Sequence, residues 1–174
     1  MTYKRLISFD FDDTMCHTPK PEEGKIIWKE KTGTEWPYGG WWGKAESINP
    51  EVFDIPVNPW VYKKYLEAVS DPDNYVILAT GRLEKVPNML NHVETILNKH
   101  NLSFDEIHLN WGGDTYNFKT KLFETLIKEV EATEMVMYDD RQSHLIEFEE
   151  WSKKIDCKIS IIDVVNKTIK KFNY

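Results

Sequence analysis

Apolar residues along this chain gather into five short runs, 6–9, 75–79, 106–109, 135–138 and 158–162, each rich in Ile, Val, Leu or aromatic side chains. Runs of this length between more polar stretches predict strands. Most of the intervening segments repeat their apolar positions at helical spacing. In 59–69, Trp60, Tyr65, Leu66 and Val69 share a face, with Asn58 as cap and Pro59 at the first helical position. Val86, Leu90, Val93 and Leu97 mark a helix over 84–100, and Leu122, Phe123, Leu126, Ile127 and Val130 mark one over 119–131. Leu145, Ile146 and Phe148 mark a fourth over 142–154. Strands alternating with amphipathic crossovers predict an α/β fold, a mostly parallel five-stranded sheet with helices on both faces. Ligands then bind beyond the carboxyl ends of the strands.

The segment 15–57 breaks the alternation. It has no clear periodicity, yet it holds four of the seven tryptophans and five of the eight prolines. So many aromatic rings argue against disorder, and the expectation is an ordered flap inserted after the first strand of a single domain over 1–174.

Totals narrow the class of partner. A chain of 174 residues with 41% hydrophobic content can bury one proper core. Its formal charge of -7 excludes a protein that coats nucleic acid non-specifically, which needs many phosphate-neutralising Lys and Arg. The start, Met1 to Arg5, leads into an apolar stretch that Asp10 interrupts, so neither a secretory signal nor a membrane span is expected and the cytoplasm is the default location. Cys16 and Cys157 lack the spacing of a zinc or redox motif and read as packing residues. His92, His100, His108 and His144 lack ligand spacing and read as surface or packed histidines, while His17 lies beside the first acidic motif. The group Glu147, Glu149 and Glu150 reads as a solvated helix face.

Chemistry enters where strands end in acids. The first run stops at Asp10-Phe11-Asp12-Asp13-Thr14 and the fourth at Tyr138-Asp139-Asp140-Arg141. Desolvating an unpaired carboxylate costs several kcal/mol or more, so these acids belong at strand ends facing a cation or substrate. Two carboxylates about 4 Å apart repel by roughly 4 kcal/mol at an effective dielectric of 20, which makes a converging cluster a cation site. An all-oxygen set without a His/Cys cluster favours magnesium over zinc.

Together with Ala79-Thr80-Gly81-Arg82 after the second strand and Phe118-Lys119 opening a helix, these motifs resemble, in order, the four of the haloacid dehalogenase (HAD) phosphohydrolases. The resemblance spans nearly the whole chain and implies a Rossmann-like fold. It makes Asp10 the nucleophile and Asp12 the general acid and base. Thr80 would hydrogen-bond the phosphoryl oxygens, and Lys119 would neutralise their charge. Magnesium would be held by Asp10, Asp139, Asp140 and the main-chain carbonyl of Asp12. Asp13 stands where many relatives have Gly and is assigned to the turn.

Within that superfamily the chain resembles the HAD domain of Swiss Army Knife RNA repair proteins. The carriers are Asp12 to Thr14, His17-Thr18-Pro19-Lys20-Pro21, Gly39-Gly40-Trp41-Trp42, Thr80-Gly81-Arg82, Phe118-Lys119 and Asp139-Asp140-Arg141. The Thr-Gly-Arg and Asp-Asp-Arg forms are also similar to the 3'-phosphatase domain of polynucleotide kinases. The resemblance implies a substrate phosphorylated at a DNA or RNA terminus, with Gly81, Arg82 and Arg141 organising the phosphate or the acids. Trp41 and Trp42 would stack an end nucleotide, at about 1 to 3 kcal/mol per base, or instead fold the insertion onto the domain. Two other readings stay open: a phosphatase of free nucleotides or small esters, and a non-catalytic module gripping a partner through the flap. Neither the oligomeric state nor the choice between DNA and RNA is encoded in these features.

Overall fold

The computed structural model describes residues 3–174. Six strands form one sheet in the order β3-β2-β1-β4-β5-β6, and all pair in parallel except the last two. They are β1 (Arg5–Phe9), β2 (Asn74–Leu83), β3 (Glu106–Asn110), β4 (Glu134–Asp139), β5 (Lys158–Asp163) and β6 (Thr168–Phe172). The helices are α1 (Pro21–Thr32), α2 (Pro59–Val69), α3 (Met89–Lys99), α4 (Thr115–Glu129) and α5 (Gln142–Ser152). The α/β fold with a mostly parallel sheet therefore stands.

Alternation along the central strands feeds two cores. Ile7 and Phe9 of β1 pack on one face with α2, α3 and part of the insertion. Leu6, with Ile77, Met135 and Ile159 of neighbouring strands, packs on the other face with α4 and α5. Burial on both faces explains why these strands read as near-continuous apolar runs.

Two elements depart from the expectation. The sheet has a sixth strand, because β6 pairs antiparallel with β5 at the sheet edge. Most of β6 is exposed and it carries Lys170 and Lys171, so burial leaves no apolar pattern to read; such lysines suit an edge strand. The insertion is also less irregular than its periodicity implied, since it contains α1 and a short 3-10 turn at Ala45–Ile48. Pro21 at the start of α1, Glu22 and Glu23 in its first turn and Gly33 in left-handed conformation at its end delimit a polar helix. Its end signals were present, but only Gly24 is buried, so no apolar stripe announced it.

Helix limits shift more than strand limits. The segment 59–69 is α2 as expected, with Asn58 Oδ1 accepting from the Trp60 and Val61 amides. Residues 84–88 precede α3, and α4 starts at Thr115, which puts Lys119 more than a turn inside the helix. Among the described residues no helix is long and apolar enough to cross a membrane.

Candidate active site

Register brings the acids together. Phe9 lies opposite Leu78 of β2 and Tyr138 of β4, so the next step along each strand sets Asp10 level with Ala79 and Asp139. The Asp10 amide donates to the Tyr138 carbonyl at 3.0 Å, continuing the ladder to the acid itself. The chain then turns sharply, with Asp13 at φ 53°. Glycine is the usual occupant of that region and Asp one of the few substitutes, which agrees with assigning Asp13 to the turn.

Lys119 extends from α4 to join two of these strands. Its Nζ donates to Asp10 Oδ1 at 2.8 Å and to Asp139 Oδ2 at 2.6 Å, all three side chains being buried. Burial disfavours the ammonium charge, but the two carboxylates outweigh it and hold Lys119 above its usual range. Burial pushes the Asp10 carboxyl up, Lys119 pulls it down, and Asp139, Asp140 and Asp12 push it up again. Asp140 is raised to about 6, by burial first and then by the charge of Asp139. Carboxylates this crowded are stabilised by a cation. Asp10, Asp139 and Asp140 each offer an oxygen, all within 4.8 Å of one another, a donor set that fits a hard metal ion. The side chain of Asp12 is not one of the three.

Asp12 faces the other way. Its Oδ1 accepts from Thr18 Oγ1 at 2.7 Å and from Arg82 Nη2 at 2.7 Å, and its Oδ2 accepts from Arg82 Nε at 3.0 Å. Arg82, expected to bind substrate, is itself buried, and its Nη1 donates to Ser47 Oγ at 2.6 Å and to the Trp42 carbonyl at 3.2 Å. Gly81 packs closely on α4, where a Cβ would lie 2.8 Å from Thr115 Oγ1 and force that side chain to shift. Thr80 is fully buried, with its Oγ1 accepting from the Arg82 amide at 3.2 Å.

The acids, Lys119 and Arg82 surround a cavity of about 490 Å³, whereas Thr80, expected to bind the phosphate, is fully buried and does not reach its wall. Asp10, Asp12, Lys119, Asp139 and Asp140 line it together with Gly81, Arg82 and Arg141, and Trp42 stands on its wall. Arg141 is exposed, with Nη1 3.1 Å from His144 Nε2. His144 also lines the cavity, and burial followed by the Arg141 charge lowers its pKa. A larger cleft of about 850 Å³ lies past Asp13, between α1 and residues 50–56, and takes in His17. Its charges are mixed, Lys20, Lys31 and Lys99 against Asp13, Glu23, Glu51 and Asp54, and none of Asp10, Asp12, Lys119 or Asp139 lines it.

The tryptophan pair divides. Trp41 is 3% exposed, its indole N–H donates to the Pro19 carbonyl at 2.8 Å, and its ring packs against Trp36 and Phe53. Its place is in the core of the insertion, and its stacking on a substrate base is corrected accordingly: no ring face is left for a ligand. Trp42 is 45% exposed and lies over the Arg82 guanidinium, 5.7 Å from ring centroid to Cζ.

A family model for HAD domain family 1 in Swiss Army Knife RNA repair proteins matches residues 23–173. The chain belongs to this family. The matched span begins after Asp10 and Asp12, so those two acids are placed by geometry. Among solved structures, the fold is similar to chains of the Pnkp1/Rnl/Hen1 RNA repair complex, in two structures with TM-scores of 0.58 and 15% identity. Each alignment covers 92% of this chain but 43% and 46% of the solved chains, so this chain spans less than half their length. No curated protein matches.

Among the cavity and network residues, Ser47, Thr18 and Asn110 had no role in the sequence reading, and His144, read as a surface or packed histidine, is buried and also lines the cavity. Thr18 stood among the residues that carry the family resemblance but had no role. Asn110 spends its amide on the Gly112 amide and Gly113 carbonyl, shaping the loop before α4. For Ser47 the sequence holds no signal.

Proposed function

We propose that this chain is a magnesium-dependent phosphomonoesterase of nucleic-acid ends, with 3'-phosphates as its substrate, working through an aspartyl-phosphate on Asp10. The observation that carries the reading is the convergence of Asp10, Lys119, Asp139 and Asp140 at one end of the sheet, inside a cavity walled by Trp42. Family membership and the RNA repair complexes to which the fold is similar support the choice of nucleic acid. Residues 1–174 act as one domain, with 15–57 as a wall of the site.

Asp10, Asp139, Asp140 and the Asp12 carbonyl would hold the ion, which when bound supplies positive charge against an anionic phosphate. Lys119 adds to that neutralisation and keeps the Asp10 carboxylate aligned. Asp10 attacks phosphorus, the bond to the leaving oxygen breaks, and that oxygen takes its electron pair and a proton from Asp12. Water then attacks the aspartyl-phosphate and gives its proton back to Asp12, releasing phosphate and restoring Asp10. Arg141 binds phosphoryl oxygens and Trp42 stacks the terminal base, while Thr80, fully buried behind the cavity wall, shapes the turn that carries Gly81 and Arg82.

End-labelled oligonucleotides carrying a 3'- or a 5'-phosphate, incubated with magnesium, test the reading. Release from the 3' end is expected; release from neither end defeats it. Faster turnover of mononucleotides than of oligonucleotides at equal concentration would favour the free-nucleotide alternative, which the acidic surface suits.

A further inference from the structure

The Asp12 carboxylate is held entirely from outside the metal-binding trio. Thr18, in the insertion, and the fork of Arg82 supply its three hydrogen bonds. That same Nε and Nη2 edge is the one an arginine uses to clamp a phosphate. With Asp12 filling it, Arg82 acts as a brace.

What fixes the brace is Ser47. Its side chain is wholly buried, on the 3-10 turn Ala45–Ile48, and its hydroxyl proton goes to the Lys44 carbonyl at 2.7 Å. The hydroxyl lone pair therefore faces Arg82 Nη1, at 2.6 Å. The Trp42 carbonyl at 3.2 Å and the Lys44 carbonyl at 3.5 Å complete the cradle around Nη1. The turn is in turn anchored to α3, since His92 Nδ1 lies 3.0 Å from the Ala45 carbonyl and donates to it. Without the hydroxyl, Nη1 would keep only the two longer contacts to carbonyls, so Ser47 is the acceptor that holds the guanidinium most closely.

We propose that Ser47 and Thr18 are positioning residues that aim Asp12 at the leaving oxygen, Ser47 acting through Arg82 and Thr18 directly. The insertion thereby takes part in proton transfer without touching the phosphate. This rests on the reading of Asp12 as the proton-transfer group.

Leaving-group dependence tests it. An oligonucleotide 3'-phosphate departs as an alkoxide that needs a proton, whereas p-nitrophenyl phosphate departs as a stable anion. Ser47→Ala and Thr18→Val should each slow first-turnover release from the oligonucleotide about tenfold, a fraction of the full acid-base contribution. First-turnover release of p-nitrophenol should stay within about twofold, and the concentration that half-saturates the first turnover should hold for both substrates, since the effect lies in the proton step and not in binding. Equal losses on both substrates, as a merely structural role would give, or no loss on either, would overturn the proposal. Should Ser47→Ala fail to fold, the same comparison with Thr18→Val decides. A wild-type protein that releases phosphate from neither substrate overturns the phosphatase reading itself, which separates that failure from unselective variants of an active enzyme.

Discussion

On one wall of the cavity Lys119 joins carboxylates carried by two neighbouring strands; on the other, Arg82 joins a single carboxylate to a segment outside the sheet. Both cations are buried, yet they are held by different means. Asp10 and Asp139 are placed by backbone register, so Lys119 has only to reach them from α4. Asp12 and Arg82 meet across 70 residues of sequence and are oriented by side chains and carbonyls of the insertion. A sheet positions charge through its ladder, whereas a loop has to do so through each hydrogen bond.

The sharpest way to break the comparison is Asp10→Asn. If the sheet wall holds the nucleophile, phosphate release should fall about 10⁴-fold or more, while circular dichroism stays native. Retained activity would move the chemistry elsewhere in the cavity.

Stability separates the walls next. Arg82→Ala leaves Asp12 without its bidentate partner and should cost about 3 to 5 kcal/mol, read as a drop of about 10 °C in Tm. Trp41→Ala should cost a similar amount by emptying the core of the insertion. A small change in either would mean that the insertion packs more loosely than its contacts imply.

pH and metal test the sheet wall alone. With the Asp140 carboxyl raised to about 6, the folded protein keeps a proton that the unfolded chain loses near its ordinary value of 3.8. That contribution is fully present below about pH 4 and lost as pH rises through about 6. In a chelator, Tm should fall over this interval more steeply for wild type than for Asp140→Asn. Magnesium should raise the wild-type Tm most at the upper end, where binding to the ionised cluster is coupled to folding. Parallel curves for the two proteins would show that Asp140 carries no such load.

The smallest expected effect compares adjacent tryptophans. Trp42→Ala should raise KM for a 3'-phosphorylated oligonucleotide about tenfold, from loss of one base stack, with Tm nearly unchanged. A fall in Tm like that of Trp41→Ala would make Trp42 a packing residue too.

Much of the sheet wall was legible in the chain. Acids closing buried apolar runs marked Asp10, Asp12, Asp139 and Asp140, and parallel strands bring such ends to one side. The limits of α2 were readable to the residue because Asn58 and Pro59 announce it, but its inward face was not, since Val61, Tyr65 and Ala68 are buried while Leu66 and Val69 are exposed. α1 and β6 were not, because neither buries a stripe; one is polar beyond its end signals and the other is an exposed edge.

The sequence by itself determined that charge would collect at one end of a parallel sheet, since strands buried on both faces exclude unpaired carboxylates and leave them to the strand ends. Only the tertiary structure decided which cation serves which acid. Lys119 and Arg82 could each have reached several carboxylates. The choice rests on contacts spanning 109 residues for Lys119 with Asp10 and 35 for Arg82 with Ser47. The same holds for Trp41 and Trp42, neighbours in the chain with one ring in the core and the other on the cavity wall. No local preference distinguishes them; the path of the insertion over the sheet does.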